Sequence, residues 1–594
     1  MLNILVWATF FILPSLTWAA PHVQLQVQLN PQSRLLSAQA TVSDAHDLKQ
    51  LYLATAFQIT QVQINEKTVA PASLRSKADA RVLKLPPGAR HVRLQYEGTI
   101  AATPAIDQRQ LSSLRAGTAG PQGSFLPGSA LWFPHPGQLF TYRTTLDLPA
   151  GQKGLVAGSL VHEADTANSY QATFEFRHPA ETIDLMAGPY VTQDRTLKLG
   201  PRQVQLRTWF YPELAPLAND YLNDSAQYIE RYSKQIGDYP FDIFSIVASP
   251  TPTGYGMPSL TYLGKDVLRL PFIRATSLGH EILHNWWGNG VYPDWDSGNW
   301  SEGLTTFMAD YAYAEDQSEA TAREMRMGWL RDYAAVPPTE DFALTQFTSR
   351  HGGISSIIGY NKGAMVFLML RDRLSHEVFE RGLRLLWQTK QFQTASWQDL
   401  QHAFEQASGQ NLNAFFDTWV KRAGAPPFNG SDPDYRVWRR IDPNEFPPIL
   451  REVFVAPQAQ VWVLDEVLKE TAQTLALRVL DHPMPVQLKH IQQARHPVRA
   501  IAPESPTFVV GLHDTVDAWL KALGINSPPF SKGTAWVWAV RTQQQHPMVV
   551  VSARDTESLL ALQRALPHYG KQSGLVFEGA RVIQRGTSQT DGRQ

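Results

Sequence analysis

From His22 onward, apolar and polar residues alternate with a period of two. In HVQLQVQLN, Val23, Leu25, Val27 and Leu29 fall on one face, the mark of a half-buried strand. The same alternation recurs in HVRLQYEG, TYRTTLDLP and SYQATFEFRH, with Pro- and Gly-rich turns between them. An N-terminal β-sandwich-like domain over residues 20–205 is predicted. Near Trp209 the period lengthens: ELAPLANDYLNDSAQYIERYSKQIG has helical spacing, and helices dominate to about Trp419, giving a second domain over 206–428. PPFNGSDPD, Pro426–Asp434, is a turn-dense linker. Beyond it TFVVGL, AWVWAV, PMVVVS and GLVFEG read as buried strands, and ESLLALQRALPHYG as an amphipathic helix. A small C-terminal α/β domain over 435–585 fits this pattern. It has no Gly-rich phosphate loop, so no cofactor is assigned to it. The predicted fold class is α+β and multidomain.

Composition changes this picture in three ways. A chain of 594 residues is too long for one hydrophobic core, in keeping with several domains. Its 53 basic and 54 acidic residues leave a net charge of −1, which gives no electrostatic footprint for nucleic acid or anionic lipid. The opening MLNILVWATFFILPSLTWAA reads as an export signal over residues 1–19. Its apolar run from Leu2 to Leu13 is broken by Pro14, and small residues flank Trp18. No Lys or Arg precedes that run, so an uncleaved anchor is the alternative, Leu2 to Ala19 being barely long enough to span a bilayer. No later segment reads as apolar enough to span, so the mature chain is expected to be periplasmic or secreted with no membrane span. With no cysteine, stability there rests on packing, and any metal must use nitrogen and oxygen ligands.

IRATSLGHEILHNWWGN supplies such ligands. His280 and His284, four apart on a helix, share one face one turn from each other, so both imidazoles can reach a single ion. Glu281 can flank the metal without ligating it and take a proton from water held there. The bland alternative is a helix with two surface histidines. A catalytic zinc needs a third protein ligand and an open position, and NWSEGLTTFMADY offers Glu302 at the start of a helical run. Alone, Glu302 is equally an ordinary first-turn carboxylate facing the helix dipole.

HEILHNWWGN, then Trp295-Asp296, then Ser301-Glu302-Gly303 resembles the gluzincin zinc aminopeptidase family, which includes alanyl aminopeptidases and leukotriene hydrolase. The family pattern is HExxHxWxGN, a WD pair and NEG, and Trp286, Gly288, Asn289, Trp295, Asp296, Glu302 and Gly303 match it. The loop between Asn289 and Trp295 is one residue shorter than usual, and Ser301 stands where Asn is typical. The resemblance covers about Gly120 to Gly424. It implies a thermolysin-like metallopeptidase domain holding one zinc ion (Zn2+) per chain on His280, His284 and Glu302, with Glu281 as catalytic base. It also implies an oxyanion donor in Tyr360, whose Y-x-K-G context continues with Lys362 and Gly363 at the start of a helix. Peptide or protein is the implied substrate.

The family's exopeptidase signature, G-x-M-E-N, corresponds to Tyr255, Gly256 and Met257 followed by Pro258 and Ser259. The Glu that binds a substrate's free ammonium in the family is therefore replaced by Pro, which has neither charge nor N–H. A second family anchor, an acid or amide ahead of Phe133-Pro134, is missing from SFLPGSALWFPHPG. Two expectations follow. Another acid from a loop, such as Asp310 or Glu315, replaces the anchor and amino-terminal trimming survives. Alternatively the cleft no longer requires a free amine, which is preferred because an unpartnered buried ammonium is costly. In either case the strand of Tyr255, Gly256 and Met257 is expected to bind substrate by β-augmentation. A non-catalytic peptide-binding protein is the competing class, and retention of Glu281 and Tyr360 argues against it.

Overall fold

The computed structural model describes residues 20–45, 48–70, 75–77, 80–103, 117–424, 448–489, 502–528 and 532–586. The leader over 1–19 and the linker Pro426–Asp434 lie outside the described residues. The chain is an α+β multidomain protein. It divides into two compact units, Met1–Ala226 with Phe241–Pro271, and Gln227–Pro240 with Phe272–Gln594.

The first unit is built largely on sheets. The four alternating segments form His22–Asn30, Val92–Thr99, Phe140–Pro149 and Ser169–Ala180, all in one eight-stranded sheet. Val23, Leu25, Val27 and Leu29 are buried, as their common face requires. A five-stranded sheet runs in the order Val191–Leu199, Arg202–Phe210, Ile243–Ser249, Leu260–Gly264, Gly254–Met257. The border expected at residue 205 therefore falls inside a strand. Gly200, at φ 58°, turns a hairpin within this sheet instead of ending a domain. Gly254–Met257 is an edge strand, joined to its neighbour by a two-residue turn of Pro258 and Ser259. Pro suits the first turn position, and Ser259 takes φ 62° at the second, as in a type II turn.

In the second unit, one continuous helical run carries Ser301–Gln317 and another Gly353–Leu374. The latter has a mean hydropathy of 1.2 and is long enough to cross a membrane, contrary to the sequence reading. It is two-thirds buried within the protein, so its apolarity is that of a core helix. Each run contains a π-helical turn, Phe307–Tyr311 and Ile357–Lys362, and a third, Ile273–Ser277, leads into the helix Leu278–Leu283. Single π turns of this kind are common at functional sites.

C-terminal to the linker, a seven-stranded sheet includes all four strands expected there. Helix Lys469–Val479 covers one face through Leu475 and Val479, and His513–Ala522 covers the other through Val516, Trp519 and Leu520. Burial on both faces explains why these strands read as apolar runs and not as alternations. ESLLALQRALPHYG is shorter than expected as a helix. Thr556–Ala561 is helical, and a separate single turn, Leu566–His568, contains Pro567, which cannot continue an α-helix ladder.

Candidate metal centre

His280 lies in the helix Leu278–Leu283 and His284 caps its C-terminal end. Their rings stand 5.0 Å apart. Glu302 enters from the first turn of the helix Ser301–Thr306, with its Oε2 3.7 Å from His280 Nε2 and 3.4 Å from His284 Nε2. One ligand atom from each of the three lies within 4.8 Å of the others. Two ligands on a tetrahedral zinc, each bonded at ~2.0–2.1 Å, sit about 3.4 Å apart. The donor set therefore fits one zinc with a position left open.

The outer nitrogens of both histidines are already committed. His280 Nδ1 is 2.7 Å from Asp310 Oδ2, and His284 Nδ1 is 2.9 Å from the Trp287 carbonyl. Each ring thus turns its Nε2 toward the shared point, the usual arrangement around a metal. The Trp287 carbonyl is available because Gly288, at φ 118°, turns the chain back under the helix, a conformation that favours glycine. Asp310→Asn should weaken zinc affinity about 10–100-fold without unfolding the chain, as read by competition with a chromogenic chelator. Unchanged affinity would remove Asp310 from the metal's support.

The imidazoles and carboxylates of the site are electrostatically coupled. Burial pulls the His280 imidazole down, but Asp310 and Glu302 outweigh it and lift its pKa well above the ordinary range. Burial raises Glu302, but the two imidazoles overcome it and hold the carboxylate far below the usual range. Glu281 is pushed up, chiefly by burial. For Tyr360, burial and then the neighbouring Glu302 charge push the phenol above its ordinary range, so it stays a protonated donor.

The helices of Glu302 and Tyr360 meet on two glycines. A Cβ on Gly303 would sit 2.8 Å from Gly363 Cα, and one on Gly363 would sit 3.0 Å from Gly303 Cα. Only glycines allow this approach, which sets Glu302 beside Tyr360. Gly303→Ala should cost about 1–3 kcal/mol of overpacking, read as a lower midpoint in urea unfolding. An unchanged midpoint would mean that the crossing is looser than it looks. Ser301, at the family's Asn position, donates its hydroxyl to Asn299 Oδ1 at 2.6 Å, and the same oxygen accepts the Ser301 N–H at 3.0 Å. The departure from NEG thus keeps the start of the Glu302 helix tied down.

Three expectations need correction. Tyr360 does not start a helix; it lies in the π turn Ile357–Lys362, inside the run from Gly353 to Leu374. Asp310 and Glu315 are on helices, not loops. Both are also occupied, Asp310 by His280 and Glu315 by a bidentate pair with Arg371 at 2.7 Å for each bond. Tyr255, Gly256 and Met257 lie on the edge strand of the five-stranded sheet. There Tyr255 is 40% exposed, with its ring stacked on Phe125. At the altered motif, the Ser259 hydroxyl is buried and accepts the Gly158 N–H at 3.0 Å. The sequence reading missed Asp310 as the partner of His280. Its signal was a carboxylate two helical turns beyond Glu302 and so on the same face.

Fold and donor set together have the arrangement of a gluzincin-type metal site. Residues 274–419 match the family model described as the peptidase family M1 domain, and over that region the chain is similar to the gluzincin aminopeptidases. It is 24% identical to glutamyl aminopeptidase of Sus scrofa over 403 residues, covering 60% of this chain and 41% of that one. It is 26% identical to aminopeptidase N of Escherichia coli over 277 residues, 42% of this chain and 31% of that one. It therefore spans less than half the length of these relatives. Among solved structures, the M1 zinc metallopeptidase of Deinococcus radiodurans superposes with a TM-score of 0.55 at 20% identity, over 69% of this chain and 95% of that one. That likeness is one of fold.

Proposed function

We propose that the chain is a zinc-dependent peptidase in which Glu281 is the general base and Tyr360 the oxyanion donor. The observation that carries this reading is the convergence of His280, His284 and Glu302 on one point, with every outer histidine nitrogen already partnered. Zinc, when bound, supplies Lewis-acid chemistry, acidifying water and polarising a carbonyl. Glu281 accepts the proton of the attacking water and returns it to the leaving amine. Tyr360 donates its hydroxyl to the negative charge that develops on the carbonyl oxygen. Lost rotational freedom of the metal ligands is small, because Asp310 and the Trp287 carbonyl orient them beforehand.

The finer reading is that cleavage does not depend on a free amino terminus. Pro258 occupies a hairpin turn where the family places its ammonium-binding Glu, and Asp310 and Glu315 are engaged elsewhere. The edge strand Gly254–Met257 offers unpaired backbone for extended peptide. A second reading, amino-terminal trimming, is favoured by the relatives, which are named aminopeptidases. Zinc content and hydrolysis of unblocked aminoacyl-amides and amino-blocked quenched peptides, measured side by side, test both. Bound zinc with no Glu281-dependent cleavage of any peptide overturns the peptidase reading. Cleavage of unblocked substrates alone overturns the finer one.

We also propose an exported, periplasmic or secreted enzyme, on the leader pattern of residues 1–19. Sequencing the amino terminus of the protein recovered from cells tests it. A chain retaining Leu2–Ala19 in the membrane fraction identifies an anchor instead.

A further inference from the structure

Two residues from beyond the region matched to the M1 domain touch the segment that carries Tyr360, and two more reach it through Asp332. At its start, the Gly353 N–H donates to Asp481 Oδ2 at 2.6 Å. A Cβ on Gly353 would lie 2.5 Å from Val455, and Val455, 2% exposed, packs against Ile357 and Val336. At its far side, Asn361, the residue after Tyr360, donates to Asp332 Oδ2 at 3.0 Å. Asp332 is 2% exposed, and the two cations facing it both come from the C-terminal domain: Arg451 Nε at 3.0 Å and Lys571 Nζ at 3.4 Å. Asp481, Val455, Arg451 and Lys571 all lie C-terminal to the linker.

We infer that the C-terminal α/β domain is part of the machinery that positions Tyr360. A buried carboxylate stripped of its cations is strongly destabilised. Loss of the domain's cations would therefore leave the Asp332 charge balanced only by the Asn361 amide, beside the residue that follows Tyr360 in the chain. Asp481 and Val455 hold the other end of the same segment, so Ile357–Lys362 is clamped between two attachments to one domain. Arg451 and Asp481 are thus positioning residues acting through Tyr360, and the domain has a role in the reaction that the M1-matched region does not account for. This inference rests on the peptidase reading only for its kinetic arm.

The test uses the full zinc-loaded chain with Arg451→Met, Arg451→Lys and Asp481→Ala. In Arg451→Met and Asp481→Ala, amide exchange across residues 353–363 should accelerate by about tenfold or more, with Leu278–Leu283 unchanged. Arg451→Met should lower kcat by about tenfold at a KM within about twofold and at full zinc content, with Arg451→Lys restoring most of the loss. In a Tyr360→Phe background the same change should lower kcat no further. Unaltered exchange at 353–363 overturns the inference, as does equal acceleration throughout the chain. An undiminished kcat loss in the Tyr360→Phe background also overturns it. If the wild type shows no Glu281-dependent hydrolysis, the peptidase reading fails and the exchange measurement alone decides this one. If Arg451→Met does not fold, Asp481→Ala, which leaves Asp332 paired, carries the same measurements.

Discussion

Glu281→Gln is expected to lower kcat on peptides by about 10²–10⁴-fold, the range contributed by a positioned acid–base group, with zinc still bound at one ion per chain. Gln matches the size of Glu and keeps the helix Leu278–Leu283 intact, but it cannot accept a proton at neutral pH. The ligands on either side are held independently, His280 by Asp310 and His284 by the Trp287 carbonyl, so the substitution separates chemistry from metal binding. Metal analysis and steady-state kinetics on the same preparation read the two effects. A variant that keeps zinc and retains more than about a tenth of wild-type kcat would remove Glu281 as the base.

The metal site was legible because its ligands obey short-range geometry. The four-residue step from His280 to His284 fixes one helical face, and Glu302 opens a helix whose glycine, Gly303, is explained by the contact with Gly363. What lies outside such spacing was harder to read. Asp310 could be seen as an acid near the site, but its pairing with His280 depends on how two separate helices meet. Glu315 looked equally available, and Arg371, far along the chain, consumes it. The π turn of Tyr360 was not legible, since the residue pattern of a π turn inside an apolar helix does not differ from that of the helix around it.

The β segments show the same division. Alternation located His22–Asn30 and the strands beside it, because one face is buried and the other is not. The C-terminal strands were also found, but their order was not, since Thr507–Leu512 and Pro547–Ala553 are parallel neighbours although Ala535–Arg541 lies between them in sequence. Residue 205 lies within a strand because the turn at Gly200 closes a hairpin, and a tight hairpin and a linker present similar turn residues. The substitution of Pro258 for the family's Glu was visible at once. Its structural consequence, a Pro–Ser turn with Ser259 bound to Gly158, required the strand pairing of Met257 with Leu260.

Tyr360→Phe should lower kcat by about 10²–10³-fold, the loss measured when one oxyanion donor is removed, or about 2.7–4 kcal/mol of transition-state stabilisation. Phe preserves the ring, which meets Phe347 edge-on at 6.0 Å, and leaves the helix Gly363–Leu374 packed. The hydroxyl alone is lost. Because negative charge on the carbonyl oxygen develops only during reaction, the loss should fall on kcat and spare KM. Burial and Glu302 keep this phenol protonated above its ordinary pKa range, so the donor is not lost on the alkaline side before the ordinary phenol range. The wild-type rate should accordingly show no alkaline limb from Tyr360 up to about pH 10. Rate profiles of both forms decide the matter. A Tyr360→Phe variant with wild-type kcat, or one whose loss appears wholly in KM, would assign the residue to substrate packing and leave the oxyanion to zinc.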